Sequence, residues 1–224
     1  MDLWLRNLSA LTAGLFLLVT FGLVAVRQTQ GCVRLFVLHS LLLGASAFLL
    51  SGLYHTWHLI VIGVVDIVTK AALIPWLLHR SLHDEVYTRR EVTQVLNIPT
   101  ALLAALALAV GAYVLTHPLV ALGGGAAVPY NLPVGLAGVL VGAFTSAVRR
   151  EAVPLFLGLL AMENGAFFAG IAVAPEMPLI AEVAIAFDVL ILVFMVSVLT
   201  RAVRERVGTT EVGGLTALRE TGRR

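Results

Sequence analysis

The chain is poor in charge, in thiols and in lysine. Only 12% of its 224 residues are Asp, Glu, Lys or Arg. Soluble domains run near a quarter charged, so an ordinary water-facing surface is excluded. Cys32 is the single cysteine. One thiol excludes an intrachain disulfide and any thiolate cluster for zinc or iron–sulfur. Cys32 reads as a small residue at a helix entrance. The sequence also lacks a glycine-rich nucleotide loop, a nucleophile elbow and a paired Cys-x-x-Cys. Lysine occurs once, at Lys70, against fourteen arginines.

What is present is apolar: 59% of the residues are hydrophobic. Short polar or Pro/Gly-containing breaks divide the apolar runs into seven spans. These are Leu8–Val26, Val33–Leu53, His58–Leu78, Ile98–Leu115, Leu132–Val148, Ala152–Val173 and Leu179–Val203. Each is long enough to cross a bilayer as a helix. The first run is too long for a secretory signal, and no small-residue cleavage site follows it. The expected fold is therefore all-α: an integral membrane protein of seven transmembrane helices. A Gly/Pro-rich outer loop, residues 116–131, divides a four-helix part (1–115) from a three-helix part (132–203), and a tail (204–224) follows. The mixed-charge segment His79–Asn97 reads as an interfacial helix or a plain loop.

The basic residues are distributed on one side. Arg27 and Arg34 flank the first loop, Arg80, Arg89 and Arg90 the third, and Arg149 and Arg150 the fifth; six more arginines lie from Arg201 onward. Arg6 and Lys70 are the exceptions. Positive charge stays on the cytoplasmic face, so the N-terminus is expected outside and the tail inside.

Against this background, ionisable residues within the spans stand out. Lys70 lies mid-span with Asp66 one helical turn before it; i, i+4 spacing lets them pair. Glu163 lies near the middle of the sixth span, and Glu182 and Asp188 lie in the seventh. Glu182 and Asp188 are about 120° apart around a helix, so they do not line one channel. A central Lys or Asp costs roughly 2.5–3.5 kcal/mol on insertion scales. Proton relay or charge coupling is the functional reading of these residues; a neutral packing pair is the bland one. Pro75, five residues past Lys70, removes the α-helical donor to the carbonyl of Ala71. Ala161, Gly165 and Ala169 form a small-residue stripe opposite Glu163, suited to close packing. His39, about two turns in from the cytoplasmic side, is a further candidate for proton uptake. His55 and His58 read as interfacial anchors, and His79 and His83 as residues of a solvated loop rather than a metal site. Replacing Lys70 or Glu163 by an apolar residue is expected to leave assembly intact while ion movement falls.

The run DIVTKAALIPWLL (Asp66–Leu78) resembles the lysine-to-proline motif of the E component of hydrogenase-4-type membrane complexes. The tail RAVRERVGTTEVGGLTALR (Arg201–Arg219) resembles that family's tail. The last three spans are similar to the K subunit of complex I and the C subunit of multi-subunit sodium/proton antiporters. Glu163 in AMENGAFFAG and Glu182 in AEVAIAFDVL match the intramembrane glutamates of those subunits. Asp188 has no place in that pattern, and Asn164, directly after the glutamate, departs from it.

The resemblance implies a non-catalytic, multi-pass subunit in the bacterial inner membrane. It implies partners: antiporter-like membrane subunits, an H-like anchoring subunit and peripheral redox subunits that carry the nickel–iron and iron–sulfur centres. No cofactor or metal is expected in this chain, and no nucleic acid. Lys70, Glu163 and Glu182, with Asp66, Asp188 and His39, would contribute to redox-coupled proton or sodium translocation. Two alternatives remain: a subunit of a cation/proton antiporter without a redox module, and a purely structural membrane scaffold.

Overall fold

Inside lipid a backbone has no water to bond, so an apolar segment must satisfy its N–H and C=O groups within itself. The long apolar runs accordingly form helices. The computed structural model describes residues 2–81, 95–122 and 130–173. Among them, six helices are long and apolar enough to cross a membrane, and no strand occurs. They are α1 (Asp2–Ala25), α2 (Thr29–Tyr54), a composite third span, α5 (Ile98–Leu122), α6 (Asn131–Val148) and α7 (Ala152–Val173). The seventh expected span, with Glu182 and Asp188, lies outside the described residues, as do the tail and most of the segment His79–Asn97.

The third span departs from the sequence expectation. It consists of α3 (Trp57–Asp66), a π-helical segment (Ile67–Leu73) and α4 (Ile74–Ser81). The backbone N–H of Ile74 donates to the carbonyl of Thr69, five residues back. In that wide register, counting back from Pro75 leads to Lys70, not to Ala71. The Thr69 hydroxyl donates to the Val65 carbonyl at 2.8 Å, adding a further tie across the widened turns. Stretches of π-helix are rare and concentrate at functional sites. This one contains Lys70.

Boundaries shift elsewhere as well. The fourth span continues through Pro118 to Leu122, beyond the expected end at Leu115. The α2 helix ends on His55, whose φ of 56° is left-handed and takes the place a glycine often fills. The Ser51 hydroxyl closes this turn by donating to the Thr56 carbonyl at 2.7 Å.

Small residues set the closest crossing, between α6 and α7. A Cβ added to Gly142 would strike the backbone of Met162, and one on Gly165 the backbone of Gly138 and Val139. The expected stripe of Ala161, Gly165 and Ala169 thus packs on α6, with Gly138 and Gly142 opposite. Phe16, Leu43, Leu50, Phe167 and Phe168 fill the core between α1, α2 and α7.

Three contacts fix which helix ends lie together. Asn131 Nδ2 donates to Ser9 Oγ at 3.4 Å, joining the starts of α1 and α6. Val95 N–H donates to the Val148 carbonyl at 3.1 Å. Arg149 Nη2 donates to the carbonyls of Leu23, Val24 and Val26 at 2.7, 3.2 and 2.8 Å. The first two belong to the last turn of α1, the negative end of its dipole, and Val26 directly follows the helix. Arg149, in the fifth loop as expected, is 3% exposed and caps a helix 123 or more positions away.

By contrast, α5 presents Leu103, Leu106, Val110 and Val114 outward, and α3 presents Ile60, Val61 and Val64. In α5 only 17% of the spanning segment is buried, so its outer face is suited to lipid or a neighbouring subunit.

Candidate functional site

The site begins at Lys70, which is 2% exposed. An ammonium buried among apolar helices is stable only with partners that replace its water. Three side chains do so. Asp66 Oδ1 lies 3.0 Å from Nζ, one turn back on the same span. Glu163 Oε2, on α7, lies at 3.6 Å. Asn164 Oδ1, the next residue of α7, accepts a hydrogen bond from Nζ at 2.8 Å.

The polar chain continues through Asn164 into α2. Its Nδ2 meets His39 Nδ1 at 3.1 Å and donates to Ser40 Oγ at 3.0 Å. On the far side of the ring, His39 Nε2 lies 3.0 Å from Thr20 Oγ1 on α1. The Thr20 hydroxyl donates to the Phe16 carbonyl at 2.8 Å. The Phe16 ring covers the imidazole at a centroid distance of 3.9 Å. Lys70, Glu163 and His39 all sit in the middle third of their spans, so this network lies at mid-membrane depth.

Packing explains the convergence. The approach of α7 to α6 turns the small-residue side of α7 away from α2 and the third span. Glu163 and Asn164 are left to face those helices. Gly44 of α2 and Gly63 of α3 cross closely: a Cβ on either would come within 3.2 Å of the other's carbonyl oxygen. That brings His39 and Ser40 beside the π-segment.

The structure thus gathers Lys70, Asp66, Glu163 and His39 into one buried network spanning α1, α2, the third span and α7. Glu182 and Asp188 lie outside the described residues. Asn164, Ser40 and Thr20 had not been singled out from the sequence as site residues. An Asn in mid-span next to an acid carries the same signal that flagged Glu163, an expensive polar group in lipid. Ser40 and Thr20 carry none, because small hydroxyls are common in membrane helices.

Charge counting shows what the cluster can do. Two carboxyl groups share one ammonium, so the fully ionised cluster has a net charge of −1. Neutrality takes one additional proton. Such a group of side chains can hold or release a proton without large movement. Among the described residues, no set of three or more His, Cys, Asp or Glu side chains could hold a metal ion. A cavity of about 360 Å³ at the ends of α5 and α6, lined by Tyr113, His117, Tyr130 and Pro133 among others, contains no member of the Lys70 cluster.

Comparison with known proteins adds descent to this geometry. The chain is 30% identical over 208 residues to the uncharacterized protein Rv0085 of Mycobacterium tuberculosis, covering 93% of this chain and 94% of that protein. It is 27% identical over 216 residues to hydrogenase-4 component E of Escherichia coli K12, covering 92% of this chain and 95% of that protein. The component of the same name in Shigella flexneri gives the same figures. No family model and no solved structure matches the chain.

Proposed function

We infer the role of the chain from two facts: it belongs to the family of the mycobacterial protein, and it is a distant homologue of hydrogenase-4 component E over most of its length. The reading is a non-catalytic membrane subunit of a hydrogenase-like, multi-subunit complex. Its contribution is coupling: intramembrane side chains link redox chemistry in partner subunits to movement of a proton or sodium ion. Lys70, Asp66 and Glu163 form the working cluster. Glu182 would extend it along the seventh span, in keeping with the resemblance read from the sequence, and Asp188 would be a further charge on that span. Nickel–iron and iron–sulfur chemistry would belong to peripheral partners, and the location would be the bacterial inner membrane, N-terminus outside.

One observation carries this reading: an almost fully buried Lys70 shared by two carboxyl groups from different spans. A packing pin needs one counter-charge, and the second acid leaves a proton to be gained or lost. The test is Glu163→Gln in the assembled complex, reconstituted into vesicles. Electron transfer is expected to continue while the proton or sodium gradient falls. An undiminished gradient would make the cluster a structural pin. Purification of the native complex tests membership independently. Redox subunits are expected to co-purify, whereas antiporter subunits alone would favour the antiporter reading.

A further inference from the structure

The amide of Asn164 lies between the ammonium of Lys70 and the ring of His39, and only one arrangement of protons satisfies all the contacts. Oδ1 faces Lys70 Nζ at 2.8 Å; the reversed amide would set two donors against each other. Nδ2 therefore points at His39 Nδ1 and Ser40 Oγ, giving one proton to each. It follows that His39 Nδ1 is an unprotonated acceptor. Thr20 has a single hydroxyl proton, and it goes to the Phe16 carbonyl. Thr20 Oγ1 must then accept from His39 Nε2–H. The ring is neutral, in the Nε2–H tautomer, and held at both nitrogens.

We propose that Asn164 is a proton stop: it holds Lys70 in place but cannot take or release a proton, so no proton passes from Lys70 to His39. A relay atom accepts a proton on one side and gives one up on the other, as carboxyl and imidazole groups do. A carboxamide does not titrate. The hydrogen-bonded chain from Lys70 through Asn164, His39 and Thr20 ends on a backbone carbonyl of α1. His39 is then a brace that fixes the amide, not the proton carrier expected from the sequence. Among the described residues, the charged groups on the Lys70 side of Asn164 are Lys70, Asp66 and Glu163, and on the other side α1 sets Thr20 and the Phe16 ring against His39. The proposal deepens the coupling reading and rests on it.

The experiment is nitrogen-15 solid-state NMR of the full chain, histidine-labelled, in lipid vesicles, with the His39 signal identified by its loss in His39→Gln. The expected spectrum shows a neutral, Nε2-protonated ring that stays unchanged from about pH 5 to about pH 8, the range over which a free histidine titrates. A doubly protonated ring, or the Nδ1–H tautomer, overturns the proposal. A second arm uses Asn164→Asp in the reconstituted complex, which places a titratable group between Lys70 and His39. The His39 signal is expected to gain a second N–H there, because a carboxyl group can pass to the ring the proton that the native amide cannot. A properly assembled variant with an unchanged ring overturns it as well. The two readings fail separately. Normal pumping by Glu163→Gln beside a neutral His39 defeats coupling, whereas a charged His39 beside impaired pumping defeats the proton stop.

Discussion

Asn164 of α7 and His39 of α2 are joined by a 3.1 Å amide-to-ring hydrogen bond at mid-membrane depth. Neither residue is charged in this arrangement, yet together they place the oxygen that the Lys70 ammonium meets at its shortest contact, 2.8 Å. The acids supply the counter-charge, and the amide supplies the position. Loss of one therefore differs from loss of the other.

The partners of Lys70 order its variants. Lys70→Met leaves Asp66 and Glu163 buried around an apolar side chain. Breaking a buried pair from one side costs about 3–5 kcal/mol. Glu163→Gln retains the shape of the side chain and leaves the Asp66–Lys70 pair intact. Thermal unfolding of the purified chain should show a clear loss for Lys70→Met and a small one for Glu163→Gln. This modifies the expectation that both replacements leave assembly intact. Equal unfolding temperatures would mean that water, not Lys70, neutralises the acids.

Arg149 provides a test far from the cluster. Its Nη2 serves three carbonyls at the end of α1, and hydrogen bonds to a charged group are each worth about 1.5–3 kcal/mol. Arg149→Met should destabilise the chain by about 3 kcal/mol or more, measured as a shift in detergent-induced unfolding. Arg149→Lys, with three donors on a shorter stem, should recover part of that. A neutral effect of Arg149→Met would show that the carbonyls find water at the membrane surface.

The glycines separate contact from composition. In Gly165→Ala the new methyl meets the backbone of Gly138 and Val139, which cannot step aside as a side chain can. Overpacking of this kind costs about 1–3 kcal/mol, and it also displaces Asn164 next door. At Gly14 and Gly111 a Cβ meets nothing within 4 Å. Alanine there should be neutral or stabilising by about 0.5–1 kcal/mol through helix propensity. Unfolding assays on the three variants would contradict the packing if Gly165→Ala proved as mild as the other two.

Orientation is open to chemical labelling because the native thiol is buried. Gln28 and Trp57 are exposed at opposite ends of α2. With the N-terminus outside, Trp57→Cys should react with a membrane-impermeant maleimide in intact cells, and Gln28→Cys only after the cells are opened. The reverse pattern would invert the topology read from the arginines.

Much of this architecture was legible in the sequence, because lipid imposes a simple rule on backbone polar groups and the apolar runs obey it. All six described spans fall where hydropathy places them, with ends moved by as much as seven residues, from Leu115 to Leu122 in the fourth. The fourth span was expected to end at Leu115, but α5 continues through Pro118, as membrane helices can do when neighbouring hydroxyls and packing compensate the lost bond. The π-segment was not legible: one wide turn leaves an apolar pattern almost unchanged, and nothing in IVTKAAL announces it. The pairing of Asp66 with Lys70 followed from spacing alone. The arrival of Glu163, Asn164 and His39 at the same ammonium did not, because it depends on which faces of α2 and α7 the glycines bring together. Arg149 lies in the fifth loop as expected, but its burial was not legible, because nothing in the sequence tells which helix end a loop arginine will cap.

That helix end has a consequence for how the protein is made. Leu23 and Arg149 are separated by 126 positions, so the first helix leaves the ribosome long before its final carbonyls can meet their guanidinium. Those carbonyls must stay hydrated while four more crossings are synthesised. The end of the opening span is therefore secured late, as a latch closed after the fifth, and truncation of the nascent chain before residue 149 leaves it undone.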